Sequence, residues 1–305
     1  MTRLLQNITA LFACLSTLFA SAAFAVTVEH AVGQTQLDKT PERIVVIGHA
    51  SLDVLDNLGV PPVGVVHHLL PSYLQQYNDK SIASVGTLHE PDFEAIFMAR
   101  PDLIIAEGRA LPHVEELQKI APTYVVMMEN GHYWRDMTQH WRNIALMVDK
   151  QGEVESLISE LEGEIAALSA KAKAAELDTM VVMNAGGNVT MFGRDSRFSQ
   201  IFNEFGFTPA SSRNVEATAG PHGHLISFEY IVDAAPQSLM IMDREQAIGR
   251  GAGKAQAFFD NALVNGTEAA QNGKLIYLNP EAWYITAGGI QATRVMLQDI
   301  QQALN

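Results

Sequence analysis

Three arginines stand just past runs of apolar residues. Arg109 follows Leu103-Ile104-Ile105-Ala106 by way of Glu107-Gly108, and Arg244 follows Leu239-Met240-Ile241-Met242 by way of Asp243. The third is Arg194 or Arg197, in a stretch that follows the short run Val189-Thr190-Met191-Phe192. A guanidinium keeps its charge and donates in a rigid fork, so several of them at strand ends suit an anionic, oxygen-rich ligand. One arginine is usually a surface ion pair. Three at similar addresses, in a chain with 34 Asp+Glu against 20 Lys+Arg, shift the balance toward a ligand. Two further segments carry chemistry-bearing side chains. Gly220-Pro221-His222-Gly223-His224 offers two imidazoles on a glycine-flanked loop, and Trp283-Tyr284 offers aromatics on a loop after Leu275–Leu278, which suits an exposed binding surface. His67-His68 is less suited to a metal pair, because adjacent side chains point apart.

Other chemistries are missing. No phosphate-binding G-x-x-x-x-G-K-[ST], H-E-x-x-H, G-x-S-x-G or G-x-G-x-x-G occurs, and nothing pairs a nucleophile with a base. One cysteine excludes an internal disulfide, a Cys-rich zinc module and an iron–sulfur site. A net charge of −14 argues against a nucleic-acid partner, which would need a basic face.

The arginines need strands to project from, and the chain supplies them. Arg43-Ile44-Val45-Val46-Ile47-Gly48 reads as a buried parallel strand, Leu52, Leu55 and Leu58 as a helix stopped by Gly59, and Val63–Val66 as the next strand. The alternation continues to Tyr124–Met127. From Gly152 to about Ala174 one helical face carries Val154, Leu157, Ile158, Leu161, Ile165 and Leu168, after which Met180–Met183 restarts the alternation. The fold class is therefore α/β: two Rossmann-like lobes over 26–150 and 176–305, joined by one long helix over 151–175, with a cleft between them.

The second lobe repeats the first. At a constant offset of 135 residues, Phe93, Glu94 and Ile96 meet Phe228, Glu229 and Ile231, Pro101 meets Pro236, and Arg109 meets Arg244. A match at fixed spacing, without gaps, reads as a duplicated unit.

Residues 1–25 read as a secretory leader: Arg3, an apolar run, and Ala23-Phe24-Ala25 before the cut. Leu11-Phe12-Ala13-Cys14 loosely resembles a lipoprotein box, but cleavage after Ala25 removes Cys14. The expected product is soluble, periplasmic and monomeric.

Taken together, these features resemble the iron-siderophore and cobalamin class of periplasmic binding proteins, which serve ABC importers. Within that class, Leu70-Pro71-Ser72-Tyr73-Leu74, Val85-Gly86-Thr87-Leu88-His89-Glu90-Pro91, Ser196-Arg197-Phe198, Asp243-Arg244 and Trp283-Tyr284 look like the branch that binds ferric catecholates, including enterobactin fragments and petrobactin. The resemblance implies the class III architecture and no enzymatic activity. It implies no permanent cofactor, a ferric siderophore as transported ligand, and an inner-membrane permease with its ATPase as partner. By the same likeness Arg109, Arg197 and Arg244 match the cleft arginines, with Trp283 and Tyr284 beside them. His222 and Tyr284 match the side chains that ligate iron when a tetradentate siderophore leaves two positions open. Glu94 and Glu229 match the glutamates that dock on the permease. His224 is a rival to His222. A haem- or zinc-binding protein of the same fold is the alternative, and an extracytoplasmic enzyme a more distant one.

Overall fold

The computed structural model describes residues 25–210 and 223–304. A hairpin of β1 (Val26–His30) and β2 (Gly33–Leu37) precedes two α/β lobes. In the first lobe β3 (Ile44–Ile47), β4 (Gly64–Val65), β5 (Ala83–Ser84), β6 (Leu103–Glu107) and β7 (Thr123–Val126) form a parallel sheet ordered β5-β4-β3-β6-β7. Every residue of β3 is buried, as a central strand packed on both faces requires. The winding reverses between β3 and β6, and a reversal of this kind opens a crevice beyond the carboxyl ends of the two strands.

The second lobe is built on β8 (Asp178–Ala185), β9 (Asn188–Phe192), β10 (Thr208–Pro209), β11 (His224–Ile226), β12 (Ser238–Asp243) and β13 (Leu275–Leu278). Its order is β11-β9-β8-β12-β13, with β10 also paired to β8. The pairs β8–β12 and β12–β13 are parallel, in keeping with strand–helix alternation. β9 departs from that pattern. Gly186 and Gly187 both take positive φ, 61° and 86°, which only glycine adopts readily, and they fold β9 back antiparallel onto β8.

The duplicated unit is visible in three dimensions. Helix Phe93–Ala99 is capped by the Asp92 side chain, and helix Phe228–Ala234 by that of Ser227. Each stops on a left-handed residue that is not glycine, Arg100 (φ 47°) and Ala235 (φ 44°), just before a proline. Each then leads into the strand beside its lobe's first parallel strand, β6 beside β3 and β12 beside β8. Glu94 and Glu229 are exposed in the first turns of these helices.

Apolar side chains collect into three clusters. Val45, Ile47 and Ile104 belong to one confined to the first lobe, and Val182, Leu239 and Ile241 to one confined to the second. The third is shared. Ile44, Val46 and Ile105 connect, through Val154, Ile158 and Leu161 of the 25-residue helix Gln151–Ala175, to Val181, Met183 and Met240. The buried stripe of that helix follows the face its sequence periodicity marked, except that Leu157 is only partly buried and Ser169 and Ala172 extend the stripe.

A second crossing joins the lobes. The chain past β13 reaches both lobes: helix Ile290–Leu304 packs on β13 of the second sheet, on helix His49–Asn57 of the first lobe and on Gln151–Ala175. Its first turn is capped by fully buried Asp53, whose carboxylate accepts from the amides of Gln291 and Ala292 at 2.8 and 2.9 Å. Asn57 Nδ2 also donates to it at 2.8 Å. Gly289 is required here, because a Cβ would lie 2.1 Å from Asp53 Oδ2. Burial pushes the Asp53 carboxyl up to about 6, although the two amides and Tyr73 pull it back. Folded, Asp53 holds its proton more tightly than at its ordinary 3.8, so its stabilising contribution is full below that value and is lost as pH rises through about 6. Asp53→Ala leaves two buried amides unpaired and is expected to lower the thermal midpoint, by more near about pH 4 than near about pH 8. Equal losses at both would refute the assignment.

Candidate functional site

The three arginines arrive at one tyrosine. Arg109 lies in the short helical turn that follows β6, and Arg244 opens the helical turn after β12, where Asp243 accepts from the Gln246 amide. Arg109 Nη2 donates to the Tyr284 carbonyl at 3.0 Å, and Arg244 Nε donates to the Tyr284 hydroxyl at 2.9 Å. Arg197 stacks over the Tyr284 ring, its guanidinium carbon 4.3 Å from the centroid, and its buried Nε has no hydrogen-bond partner. Of the two arginines near the end of β9, Arg197 reaches Tyr284 and Arg194 does not. Arg194 turns away, donating to the Phe202 carbonyl at 3.2 Å and lying over the Phe202 ring.

Tyr284 sits in the single wide turn Glu281–Ile285. Asn279 Oδ1 accepts from the amides of Glu281 and Ala282 and starts the turn. Glu281 ties it to the first lobe by accepting from the Ser72 amide and hydroxyl at 2.9 and 2.7 Å. The neighbouring Trp283 corrects the sequence reading. It is 1% exposed, packs on Phe198 and Phe205, and donates Nε1 to Asp299 at 2.9 Å. Successive residues of a helical turn project in different directions, so Tyr284 reaches the cleft while Trp283 anchors the turn beneath it.

The electrostatics follow from the geometry. Burial alone would raise the Tyr284 phenol. The charges of Arg197 and Arg244, the Arg244 hydrogen bond and the charge of Arg109 overcome it, and the phenol falls below its ordinary 10. Arg197 is itself lowered, by burial first and then by repulsion from Arg109 and Arg244, with Tyr284 opposing. His49, at the start of the helix after β3, is pushed down to about 4 by burial and by Arg109, against its bond to the His68 carbonyl at 2.9 Å. It is neutral at physiological pH.

Two chambers open on either side of this cluster, sharing Arg109, Tyr284 and Ile285 as their common wall. One, of 350 Å³, is lined by His68, His89, Arg244 and Arg250. The other, of 310 Å³, is lined by Met127, Met128, Met137, Trp141 and Ile144, with Arg197 at the shared side. Sequence reasoning missed Glu107, which stands between Arg109 and the helix after β3. It accepts from the Ser51 amide and hydroxyl at 2.7 and 2.9 Å. Its address, two residues before Arg109 at the end of β6, was the available signal.

The remaining candidates are placed as follows. His222 and residues 1–24 lie outside the described residues. His224 is in β11 opposite Met191 and lines neither chamber. His68 faces the polar chamber while His67 does not. Among the described residues, no three His, Cys, Asp or Glu side chains are grouped to hold a metal ion, so the zinc alternative gains no ligand set there.

A family model described as periplasmic binding protein matches residues 44–282. The chain belongs to that family. It is a binding protein rather than an enzyme. Among its relatives is the petrobactin-binding protein YclQ of Bacillus subtilis, 32% identical over 92% of this chain and 88% of that one. Another is the ferric-anguibactin-binding protein FatB of Vibrio anguillarum, 31% identical over 90% and 86%. The solved periplasmic catecholate-siderophore binding protein VctP of Vibrio cholerae superposes with a TM-score of 0.85 at 38% identity, covering 91% of this chain and 99% of that chain.

Tyr284 is expected to ionise below 10, well before Tyr124 and Tyr133, whose phenols burial pushes far upward. Arg197→Ala is expected to move that early step upward, read from phenolate absorbance during a pH titration. An unmoved step would show that Arg197 does not set the charge state of Tyr284.

Proposed function

We propose that this binding protein captures a ferric catecholate siderophore in the periplasm and delivers it to an inner-membrane ABC permease with its ATPase. The observation that carries this reading is the convergence of Arg109, Arg197 and Arg244, from both lobes, on Tyr284. A ferric tris-catecholate carries three negative charges, which three guanidiniums balance. The iron-chelate ligands named for YclQ, FatB and VctP support the ligand class.

Tyr284 has a second part in the proposal. Iron(III) is a hard ion that takes six ligands, chiefly oxygen. A bis-catecholate supplies four, and a phenolate already favoured by three nearby cations is suited to a fifth position. His222 is proposed for the sixth. A hexadentate siderophore needs neither and would use the arginines alone.

Delivery is assigned to Glu94 and Glu229. Both are exposed, on equivalent helices of the two half-copies, and neither lines the chambers.

The test is a tryptophan-fluorescence titration with a panel of ferric siderophores, haem and zinc. Trp141, on the chamber wall, is a built-in reporter. Each of Arg109→Ala, Arg197→Ala and Arg244→Ala is expected to weaken ferric catecholates about ten- to a hundredfold, the size of one lost charge-assisted contact. Tyr284→Phe is expected to weaken tetradentate complexes selectively and shift their charge-transfer band. Paired reversal of Glu94 and Glu229 to Arg should leave the dissociation constant unchanged and abolish uptake. Tight haem or zinc binding that ignores the arginine variants would overturn the reading.

A further inference from the structure

The two chambers differ in chemistry, although they share a wall. The one lined by Arg244, Arg250, His68 and His89 is polar and cationic. The other is walled by the side chains of Met127, Met128, Met137, Trp141 and Ile144, and its cations, Arg109 and Arg197, stand only where it borders Tyr284. Resting on the siderophore reading, we infer that the ligand is unsymmetrical. Its anionic iron head sits on the arginines and Tyr284, and an uncharged aromatic limb enters the methionine chamber.

Three features support an uncharged, aromatic occupant. Methionine is flexible and polarizable, and its thioether makes favourable contacts with aromatic rings, so three of them around one space suit a flat aromatic group. Met127 and Met128 are 37% and 38% exposed on this wall, so their apolar side chains are open to a ligand that covers them. The charged group on this wall other than the arginines is Glu107, whose Oε1 is engaged by Ser51. A second anionic limb would lie against the thioethers and that carboxyl group, away from Arg244 and Arg250, whereas a neutral ring needs no counter-charge. At 310 Å³ the chamber has room for one such limb.

The experiment compares three ferric bis-catecholates that share one head: one bare, one with a benzyl limb and one with a carboxybenzyl limb. The benzyl complex is expected to bind the wild-type protein about tenfold or more tightly than the bare one, the gain from burying one ring. The carboxybenzyl complex should show none of that gain. Val126→Phe, at the half-buried end of β7 on the same wall, fills the chamber and should erase the benzyl advantage while leaving the bare complex unaffected. Met128→Ser, at an exposed position that does not endanger folding, should shrink the advantage. No benzyl advantage in the wild type would overturn the inference. So would a Val126→Phe protein that loses the bare and benzyl complexes equally, since the head itself would then occupy the chamber. Arg244→Ala separates the two levels: it should weaken all three complexes by one factor, and if it weakens none, the siderophore reading itself has failed.

Discussion

Three guanidiniums held around one phenol repel one another, and much of the cleft serves to keep them there. The cost is visible at Arg197, whose charged form is disfavoured by burial and by its two neighbours. The protein supplies a partial counterweight in Tyr284, with its ring under Arg197, its hydroxyl to Arg244 and its carbonyl to Arg109. No carboxylate bonds to Arg109 or Arg197 in the described residues, and Arg244 reaches only the distant edge of Glu245 at 3.5 Å. Glu107 beside Arg109 and Glu245 beside Arg244 offset part of the positive charge, and an anion that enters relieves the repulsion that remains.

Holding the cluster requires both lobes in register. Arg109 comes from the first sheet, while Arg197, Arg244 and Tyr284 come from the second. The long helix carries the shared apolar core, and the C-terminal segment crosses back to be capped by Asp53. The Tyr284 turn is fastened to the first lobe through Glu281 and Ser72. A helix resists the bending that extended linkers allow, because a sharp bend breaks its backbone hydrogen bonds. The arginines are therefore assembled before a ligand arrives.

What was legible in the sequence was local. Buried parallel strands announce themselves as short apolar runs, so Arg109 and Arg244 could be placed at strand ends by counting. The matched Phe-Glu-x-Ile helices and prolines made the duplication readable, down to the equivalent exposure of Glu94 and Glu229. What was hidden depends on packing across the chain. Arg194 and Arg197 are three residues apart, and their spacing alone does not say that Arg194 turns to Phe202 and Asn203 while Arg197 turns to Phe198 and Tyr284. Trp283 and Tyr284 are neighbours, and only Asp299, Phe198 and Phe205 decide which is buried. Asp53 reads as one acidic residue in an amphipathic helix, because its partners lie more than 230 residues further on. Gly186 and Gly187 are adjacent glycines in the sequence, but the positive φ values by which they reverse β9 belong to the folded chain.

The shared core has a consequence for how the molecule comes apart. Two lobes with separate interiors could melt one after the other. Here the apolar cluster runs from Ile44 through Leu161 to Met240 without a break, so neither sheet can lose its inner face without exposing the other's. Unfolding should be one cooperative event despite the bilobal shape. A ligand that touches only the cleft then raises the melting temperature of the whole chain. A destabilising substitution deep in either lobe, far from any arginine, would drain the same population of binding-competent molecules.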